Sequence, residues 1–514
     1  MKRVTTLLLC LCAVFSLAAC GQEDAYVPTG DGLTWDEDYT GPVYTRPEDP
    51  QTEDLSLIYY PDKTLNPLAC TDFTNQALFS LLFQGLFSVD RGYRVEPVLC
   101  KNYRVSEDML THTFYIEPQA TFSNGTPVTA RDVVASLNAA SQTDRYSGRF
   151  FHIREITLGE DGGVVISTKI PYENLPVLLD IPIIKQVQVD ADQPIGSGPY
   201  ILGSSMGSMQ LVKNPNWWCK TELPVKQEVI TLLTAESHTQ IRDEFQFGQL
   251  DLVCADPGSD RYADYRCDYE LWDCENGIFV YVGCNMISPV FSDQLVRAAL
   301  THAIDRDMLA EAYYRGFARG ASLPASPLSP YYNSNFAARY GYAPDKFTKA
   351  VREAGFEGQT VTLLVNSDDS LRVRVARDIA EQLRQCGLDV VMKEEGGSDY
   401  ISSLRNRYYD LYVGQTMLSA NMDLSAFFHE NGALSYGSVN DETAYTLCQQ
   451  ALENHGNYFT LYQTVMDQGL LCPVLFRSYA IYATRGLVTD LTPARDSIFY
   501  YSLGKSMENA LLTE

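Results

Sequence analysis

The spacing of apolar residues between positions 360 and 392 switches between the repeats that distinguish strands from helices. Thr360–Val365 is a short apolar and β-branched run, whereas Leu371–Gln385 places its apolar residues at helical spacing. Gly387 follows at the position where a helix ends in a left-handed residue, and Leu388–Met392 resumes the strand pattern. This order predicts a βαβ unit with two parallel strands and a right-handed crossover.

Similar patterns predict elements elsewhere in the chain. Leu55–Tyr60 and Thr111–Ile116 are predicted strands, because β-branched, aromatic and alternating apolar residues fill them. Thr129, with Asp132 three residues later, is typical of a capping box at the start of a helix. Asp293–Tyr314 keeps helical spacing throughout, which predicts one long amphipathic helix. The chain is therefore predicted to be α/β in part, with a hairpin-rich N-terminal third.

The first twenty residues carry an export signal. Two basic residues precede the almost wholly apolar stretch Val4–Leu17, which is shorter than the roughly 20 residues that a membrane-spanning helix needs. The sequence LAAC, ending at Cys20, resembles the lipobox of bacterial lipoproteins. That resemblance implies that residues 1–19 are removed as a signal peptide. It also implies that Cys20 becomes a diacylated N-terminus anchored in the membrane.

Charge separates a spacer from the folded body. The formal net charge is −26, from 65 acidic and 39 basic residues, so binding to phosphate backbones is disfavoured and no nucleic-acid partner is expected. Residues 21–54 hold ten acidic residues against Arg46 alone, with few aliphatic side chains. We therefore predict that residues 20–54 form an extended acidic tether. The apolar fraction of the whole chain, 45%, is enough for a large core in the remainder.

Motifs in the body follow one another in a characteristic order. Phe122–Val133 reads FSNGTPVTARDV and resembles the motif F-x-D-G-T-P-L-T-A-x-D-V. Gly196–Tyr200 stands for G-T-G-P-Y, and Phe291–Arg306 resembles a helical motif that ends in A-I-D-R. With weaker matches, the similarity spans roughly residues 55–415. The chain thus resembles family 5 of the extracellular solute-binding proteins of ABC importers, the oligopeptide-, dipeptide- and nickel-binding type.

This resemblance implies an α/β, two-lobed clamshell of the periplasmic-binding-protein type, class II, with an additional α+β domain. A solute would bind between the lobes, and closure would present it to the membrane permease. We expect a monomer without cofactor or metal, anchored at the extracytoplasmic face of the bacterial membrane. The expected division is residues 55–66, 191–275 and 483–514 for lobe I, 67–190 for the extra domain plus an edge of lobe I, and 276–482 for lobe II.

The segment after the predicted strand Tyr409–Val413 departs from peptide-binding relatives. Those relatives place Gly-Trp and then an acidic residue here, and the acid meets the α-ammonium of the peptide. Neither the Trp nor the acid stands at that place in this chain, and Ser419 lies near the position of the acid. Asp423 resembles a slightly later acid, which would reach an amine only if the loop shifts. We expect the solute to contact Gln415, Met417, Ser419, Asn421 and Asp423.

Other functions compete with import of a peptide. Gly203–Gly207 fits the G-x-S-x-G motif of hydrolases, but a strand pattern follows it where a nucleophile elbow needs a helix. A hairpin loop is the better interpretation, and no enzyme activity is expected. Because some relatives bind nickel chelates, a metal complex is an alternative solute, with His429 as the histidine to follow. A receptor for a signal peptide would use the same scaffold.

Several conspicuous residues are predicted to be structural. Gly196 and Gly198 are interpreted as a turn where the chain crosses between domains. Arg297 and Asp305 are expected to lie on one long helix and to pair with each other. Beyond Cys20 ten cysteines remain, and the sequence leaves open whether any of them form disulfides.

Overall fold

The structure is a computed structural model that describes residues 55–225, 227–258 and 265–486. The predicted signal peptide, Cys20 and the tether lie outside these ranges, as do residues 487–514 of the expected last lobe I segment. Within the described ranges, no helix is both long enough and apolar enough to cross a membrane.

The strands follow one another in runs through the first half of the chain and alternate with helices between residues 318 and 417. In chain order they are β1 Leu55–Ile58, β2 Phe87–Val89, β3 Val95–Pro97, β4 Cys100–Val105, β5 Thr111–Ile116, β6 Ile153–Leu158, β7 Val164–Thr168, β8 Tyr200–Ser205, β9 Ser208–Lys213, β10 Val229–Leu233, β11 Leu252–Ala255, β12 Tyr269–Cys284, β13 Ala318–Gly320, β14 Thr360–Asn366, β15 Asp389–Glu395, β16 Leu411–Met417 and β17 Cys472–Thr484.

The helices lie mainly in the second half of the chain. They are α1 Phe73–Gln76, α2 Phe79–Leu82, α3 Ala130–Ala140, α4 His238–Gln246, α5 Gln294–Leu300, α6 Arg306–Tyr314, α7 Ser334–Ala337, α8 Pro344–Glu353, α9 Ser370–Gln385, α10 Gly397–Asn406, α11 Ser425–Phe428, α12 Glu442–Glu453 and α13 Tyr458–Asp467.

Three larger sheets and the two-stranded antiparallel hairpin β2-β3 organise the described strands. A four-stranded sheet has the order β1-β10-β9-β8, and a second four-stranded sheet has the order β4-β5-β7-β6. We call the second one the extra-domain sheet. The large sheet has the order β11-β17-β12-β16-β14-β15, with β13 paired to β17. The extra-domain sheet is antiparallel throughout, and the first sheet combines the antiparallel strands β8, β9 and β10 with β1, which pairs with β10 in parallel. The large sheet contains the parallel strands β14, β15 and β16.

The predicted βαβ unit is confirmed. Strands β14 and β15 pair in parallel, and α9 connects them. The Asp369 side chain accepts a hydrogen bond from the backbone of Arg372 and so caps the start of α9. Gly387 follows the last turn with φ +101°, a conformation that glycine adopts without strain. The capping box at Thr129 and Asp132 is also present at the start of α3.

The prediction of one long helix from Asp293 to Tyr314 is wrong. The segment divides into α5 and α6, because Asp305 leaves the helical conformation and its side chain caps α6 at Met308. The buried guanidinium of Arg306 donates to the carbonyl groups of Thr301 and Ile304, which satisfies backbone acceptors left free by the break.

Arg297 and Asp305 therefore do not pair as expected. The Arg297 guanidinium instead donates to backbone carbonyls that precede its own helix, those of Phe291 and Ser292. The Asp305 carboxylate is used as the cap of the next helix. Both side chains are structural, as predicted, but each serves a different helix end.

Two long strands connect the expected lobes. Strand β12 has 16 residues and β17 has 13, and they pair with each other along most of their length. The expected boundaries after residues 275 and 482 fall inside these strands. Their pairing is interrupted between Glu275 and Phe279, where Gly277 has φ +72°. Irregularities of this kind bend and twist a strand locally.

Candidate functional site

The segment predicted to bind the solute leaves the large sheet at an edge suited to ligands. Strands β14, β15 and β16 are parallel, so their carboxyl ends lie on the same side of the sheet. In open sheets of this kind, ligands bind in the crevice outside those carboxyl ends. The structure divides the predicted residues between two environments there.

Gln415 and Met417 lie on β16 itself. The Gln415 amide oxygen accepts a hydrogen bond of 3.1 Å from the guanidinium of Arg477. Arg477 also donates to both carboxylate oxygens of Asp256, at 2.8 Å each. Burial acts to lower the pKa of Arg477, but the Asp256 carboxylate outweighs it, so the net shift is upward. Met417, in contrast, keeps 46% of its surface exposed.

Ser419, Asn421 and Asp423 turn towards the extra domain. The Ser419 hydroxyl donates to the Asn421 side chain, whose amide nitrogen donates to the hydroxyl of Tyr172. The Asp423 carboxylate lies 3.2 Å from the His152 imidazole, and both side chains are almost fully buried. This part of the predicted segment therefore holds the extra domain against the large sheet.

A charged cluster that the sequence did not reveal lies on β12. The Asp273 carboxylate forms ion pairs with Arg91 from the β2–β3 turn and, at 2.7 Å, with Arg319 on β13. All three side chains remain partly exposed, with 25% of Asp273, 38% of Arg319 and 45% of Arg91 accessible. We call these residues the Asp273 cluster. One carboxylate and two guanidinium groups can meet both signs of charge on a solute.

The Asp273 cluster and the Arg477 contacts lie on opposite faces of the large sheet. Ala318 pairs in register with Arg477, and Arg319 pairs with Phe476. Successive side chains of a strand point to opposite faces, so Arg319 and Arg477 point away from each other. The extra domain approaches the Arg319 face, where Tyr93 donates a hydrogen bond to the buried Glu275 of β12.

A cavity of about 540 Å³ opens beside Tyr93. Aromatic side chains form much of its wall, and polar groups come from Asn174, Asn333 and His455. Tyr93 belongs both to this cavity and to the contact with Glu275, so the cavity adjoins the strand that carries the Asp273 cluster. Its volume suits a small organic ligand or a side chain of a larger one.

The residues of the competing interpretations have structural surroundings. Gly203–Gly207 spans the tight turn between β8 and β9, with Met206 and Gly207 at positive φ, so the motif belongs to a hairpin and not to a nucleophile elbow. His429 packs against the rings of Phe151 and Tyr445. In the described part of the chain, no three His, Cys, Asp or Glu side chains group as metal ligands.

Gly196 and Gly198 have a packing role. A Cβ atom at Gly196 would lie 2.0 Å from the carbonyl oxygen of Leu82, and one at Gly198 would lie 2.5 Å from that of Leu81. The GSGPY motif therefore allows a close backbone approach to α2. The structure contains no disulfide among the cysteines of the described ranges.

The sequence profile of the bacterial extracellular solute-binding proteins, family 5 Middle, matches residues 94–435. The chain belongs to this family, which consists of substrate-binding proteins of ABC transporters rather than of enzymes. Its members act outside the cytoplasm.

Comparison with individual proteins agrees with this assignment. Glutathione-binding protein GsiB from Salmonella typhi is 26% identical over 341 residues, which are 63% of this chain and 66% of GsiB, just under two thirds of its length. NikA from Brucella suis, solved with Fe(III)-EDTA, has a TM-score of 0.69 at 18% identity. The match covers 88% of this chain and 100% of NikA. The open, unliganded form of the periplasmic murein tripeptide binding protein MppA has a TM-score of 0.71 at 15% identity. The match covers 88% of this chain and 98% of MppA. At these identities the two structures establish the fold, and they confirm the two-lobed α/β architecture with an additional domain.

Proposed function

We propose that this chain is the lipid-anchored receptor of an ABC importer and that its solute is a peptide or oligopeptide. The solute would bind where the lobes meet, on the face of the large sheet that carries the Asp273 cluster. The family assignment supports the role in transport, and the cluster is the observation that favours a peptide.

The chemistry of the cluster matches the two ends of a peptide. A peptide presents an ammonium group and a carboxylate, and each needs a partner of opposite charge once water is excluded. Asp273 can accept hydrogen bonds from the ammonium group, while Arg319 and Arg91 can bind the carboxylate. The three groups now satisfy one another, so a zwitterionic solute can exchange these ion pairs for its own without leaving a charge unpaired.

The proposed roles of the predicted segment follow from its contacts. Gln415 and Met417 stand at the carboxyl end of β16, and Gln415 bonds Arg477 on the face opposite the Asp273 cluster, so neither is proposed to contact a solute bound at the cluster. Ser419, Asn421 and Asp423 are proposed to act indirectly, because their partners on the extra domain fix the path of the segment. Under this proposal Asp423 is not the residue that binds the ammonium group of the solute.

Relatives support two classes of solute. The names of GsiB and MppA refer to glutathione and to a murein tripeptide, both peptide-like, whereas NikA was solved with a metal chelate. A chelate is the second candidate. The Asp273 cluster favours the peptide, because a uniformly anionic chelate would place its charge against the carboxylate of Asp273.

Isothermal titration of the full-length protein with tripeptides tests the proposal. Wild-type protein is expected to bind a tripeptide with a free carboxylate about tenfold or more tightly than the same peptide with an amidated C-terminus. Arg319→Gln should remove this difference, and Arg352→Gln, an exposed arginine of α8, should preserve it. Equal affinity of the wild type for the two peptides would contradict the proposed role of Arg319, and tighter binding of a metal chelate than of any peptide would favour the second candidate.

A further inference from the structure

The cavity beside Tyr93 differs in character from the Asp273 cluster next to it. Helix α13 supplies three aromatic residues to its wall, Tyr458, Phe459 and Tyr462. The chain before α7 adds Tyr331, and α7 itself adds Phe336. The wall is thus formed by rings from the large-sheet side and closed by the β2–β3 hairpin of the extra-domain side.

These rings are held by contacts with one another. Tyr331 stacks on Tyr458 with ring centres 4.4 Å apart and planes inclined by 24°. Phe336 meets Phe459 at 4.4 Å. The hydroxyl of Tyr458 donates to the backbone carbonyl of Asn421, which fixes the ring relative to the segment after β16. A wall whose rings are already fixed loses little conformational entropy when another ring packs against it.

One polar group in the wall has no partner. Tyr462 is only 1% exposed, and its hydroxyl forms no hydrogen bond within the described part of the chain. A buried hydroxyl of this kind usually finds a partner, because leaving it unsatisfied costs free energy. The hydroxyl oxygen is enclosed by the protein, so Tyr462 contributes its ring and not its hydroxyl to the cavity wall.

We infer that this cavity is a specificity pocket for an aromatic side chain of the imported peptide. The inference rests on the proposed function, since it assigns the pocket to the solute bound at the Asp273 cluster. Tyr93 connects the two places: it lines the cavity, and it donates to Glu275, which lies two residues from Asp273 on β12. A peptide held by its charged ends at the cluster can therefore direct a ring into the pocket.

The lining favours a ring over an aliphatic chain or a charged group. Aromatic rings prefer offset-stacked or edge-to-face neighbours, and several such positions are available in this wall. Arg94 brings a fixed positive charge to the lining, but its side chain is 82% exposed and forms an ion pair with Asp90. A phenol or indole ring would also provide a hydrogen-bonding group for the amides of Asn174 and Asn333.

Calorimetry with four tripeptides tests the inference: tri-alanine and its three variants with one phenylalanine. The full-length wild type is expected to bind at least one phenylalanine peptide about tenfold more tightly than tri-alanine, as expected for burial of a ring. Val95→Trp, a partly exposed lining residue on β3, should fill the pocket and reduce the preference to within about twofold. Glu96→Trp, next to it on β3 and outside the lining, is the matched control and should keep the preference.

Each result has a separate meaning. Peptide binding without any preference for phenylalanine, or a preference that survives Val95→Trp, would overturn the inference and leave the proposed function intact. Failure of all four peptides to bind, in protein that unfolds cooperatively, would contradict the proposed function and the inference together. If free phenylalanine competes for the pocket but no peptide binds, the pocket accepts a free aromatic compound and its assignment to a peptide is wrong.

Discussion

Asp423 and His152 form a buried contact that ties the segment after β16 to the extra domain. The Asp423 carboxylate lies 3.2 Å from the imidazole and also accepts a hydrogen bond of 2.8 Å from the backbone of Ser425. Burial tends to raise the pKa of the carboxyl group, but the contacts with His152 and Ser425 outweigh it, so the pKa of Asp423 is lowered. The charged carboxylate is thus stabilised in the folded protein.

Asp423→Asn should lower the free energy of unfolding at pH 7 by about 1–3 kcal/mol, because a charged partner in a buried contact is lost. A lowered pKa means that the stabilisation is complete above the unfolded pKa of about 3.9 and disappears as the pH falls through the folded value. Urea unfolding at pH 7 and at several pH values below about 3.9 measures both effects. Asp62→Asn, at an exposed pair, is the control, and an equal loss in both variants would refute the buried role.

Gly196→Ala should be strongly destabilising. The new Cβ atom would lie 2.0 Å from the carbonyl oxygen of Leu82, which is backbone and cannot move aside alone. Overpacking of this kind costs about 1–3 kcal/mol or more. Gly148→Ala is the matched control, because its Cβ would have no neighbour within 4 Å. Thermal unfolding of both variants checks the prediction, and similar melting temperatures would contradict the close approach.

His112 should make the protein less stable in mild acid. It is fully buried in the extra-domain sheet, and burial lowers the pKa of its imidazole. Because the unfolded chain protonates near pH 6.5 and the folded protein only at lower pH, the free energy of unfolding should fall as the pH drops below about 6.5. His112→Phe keeps a ring beside Phe114 and should reduce this slope between pH 7 and 5. An unchanged slope in denaturant titrations would assign the acid sensitivity to other groups.

Cys20→Ala should release the protein from membranes, because the predicted anchor is attached to that thiol. Fractionation of cells into membrane and soluble pools measures the effect. Cys12→Ala changes a cysteine inside the predicted signal peptide and should leave the protein in the membrane pool. Retention of the Cys20→Ala variant in the membrane fraction would contradict lipid anchoring.

Local signals were sufficient for several elements of the fold. The capping box at Thr129, the glycine stop at Gly387 and the βαβ unit around α9 depend on residues close together in sequence, and all are present in the structure. The break between α5 and α6 was missed because apolar spacing continues through it. The interaction that permits the break involves Arg306, whose guanidinium also donates to the carbonyl of Pro473 on β17, a contact that periodicity does not reveal.

The site was harder to predict than the fold for the same reason. Gln415 and Met417 could be proposed from the sequence because they end a recognisable strand, and their role in binding stays a prediction. Asp273, Arg91 and Arg319 come together only when β12, β13 and the β2–β3 turn assemble, and nothing in the local sequence of any one of them indicates the others. The aromatic cavity likewise combines the extra-domain side with helices near residue 460.

Native mass spectrometry of the full-length protein, extracted in detergent from the cells that produce it, tests the central claim most directly. The proposal predicts a bound species that fragments as a peptide, that includes an aromatic residue, and that is lost or weakened in Arg319→Gln. A bound metal chelate or sugar, or a peptide whose occupancy is unaffected by Arg319→Gln and Val95→Trp, would contradict it.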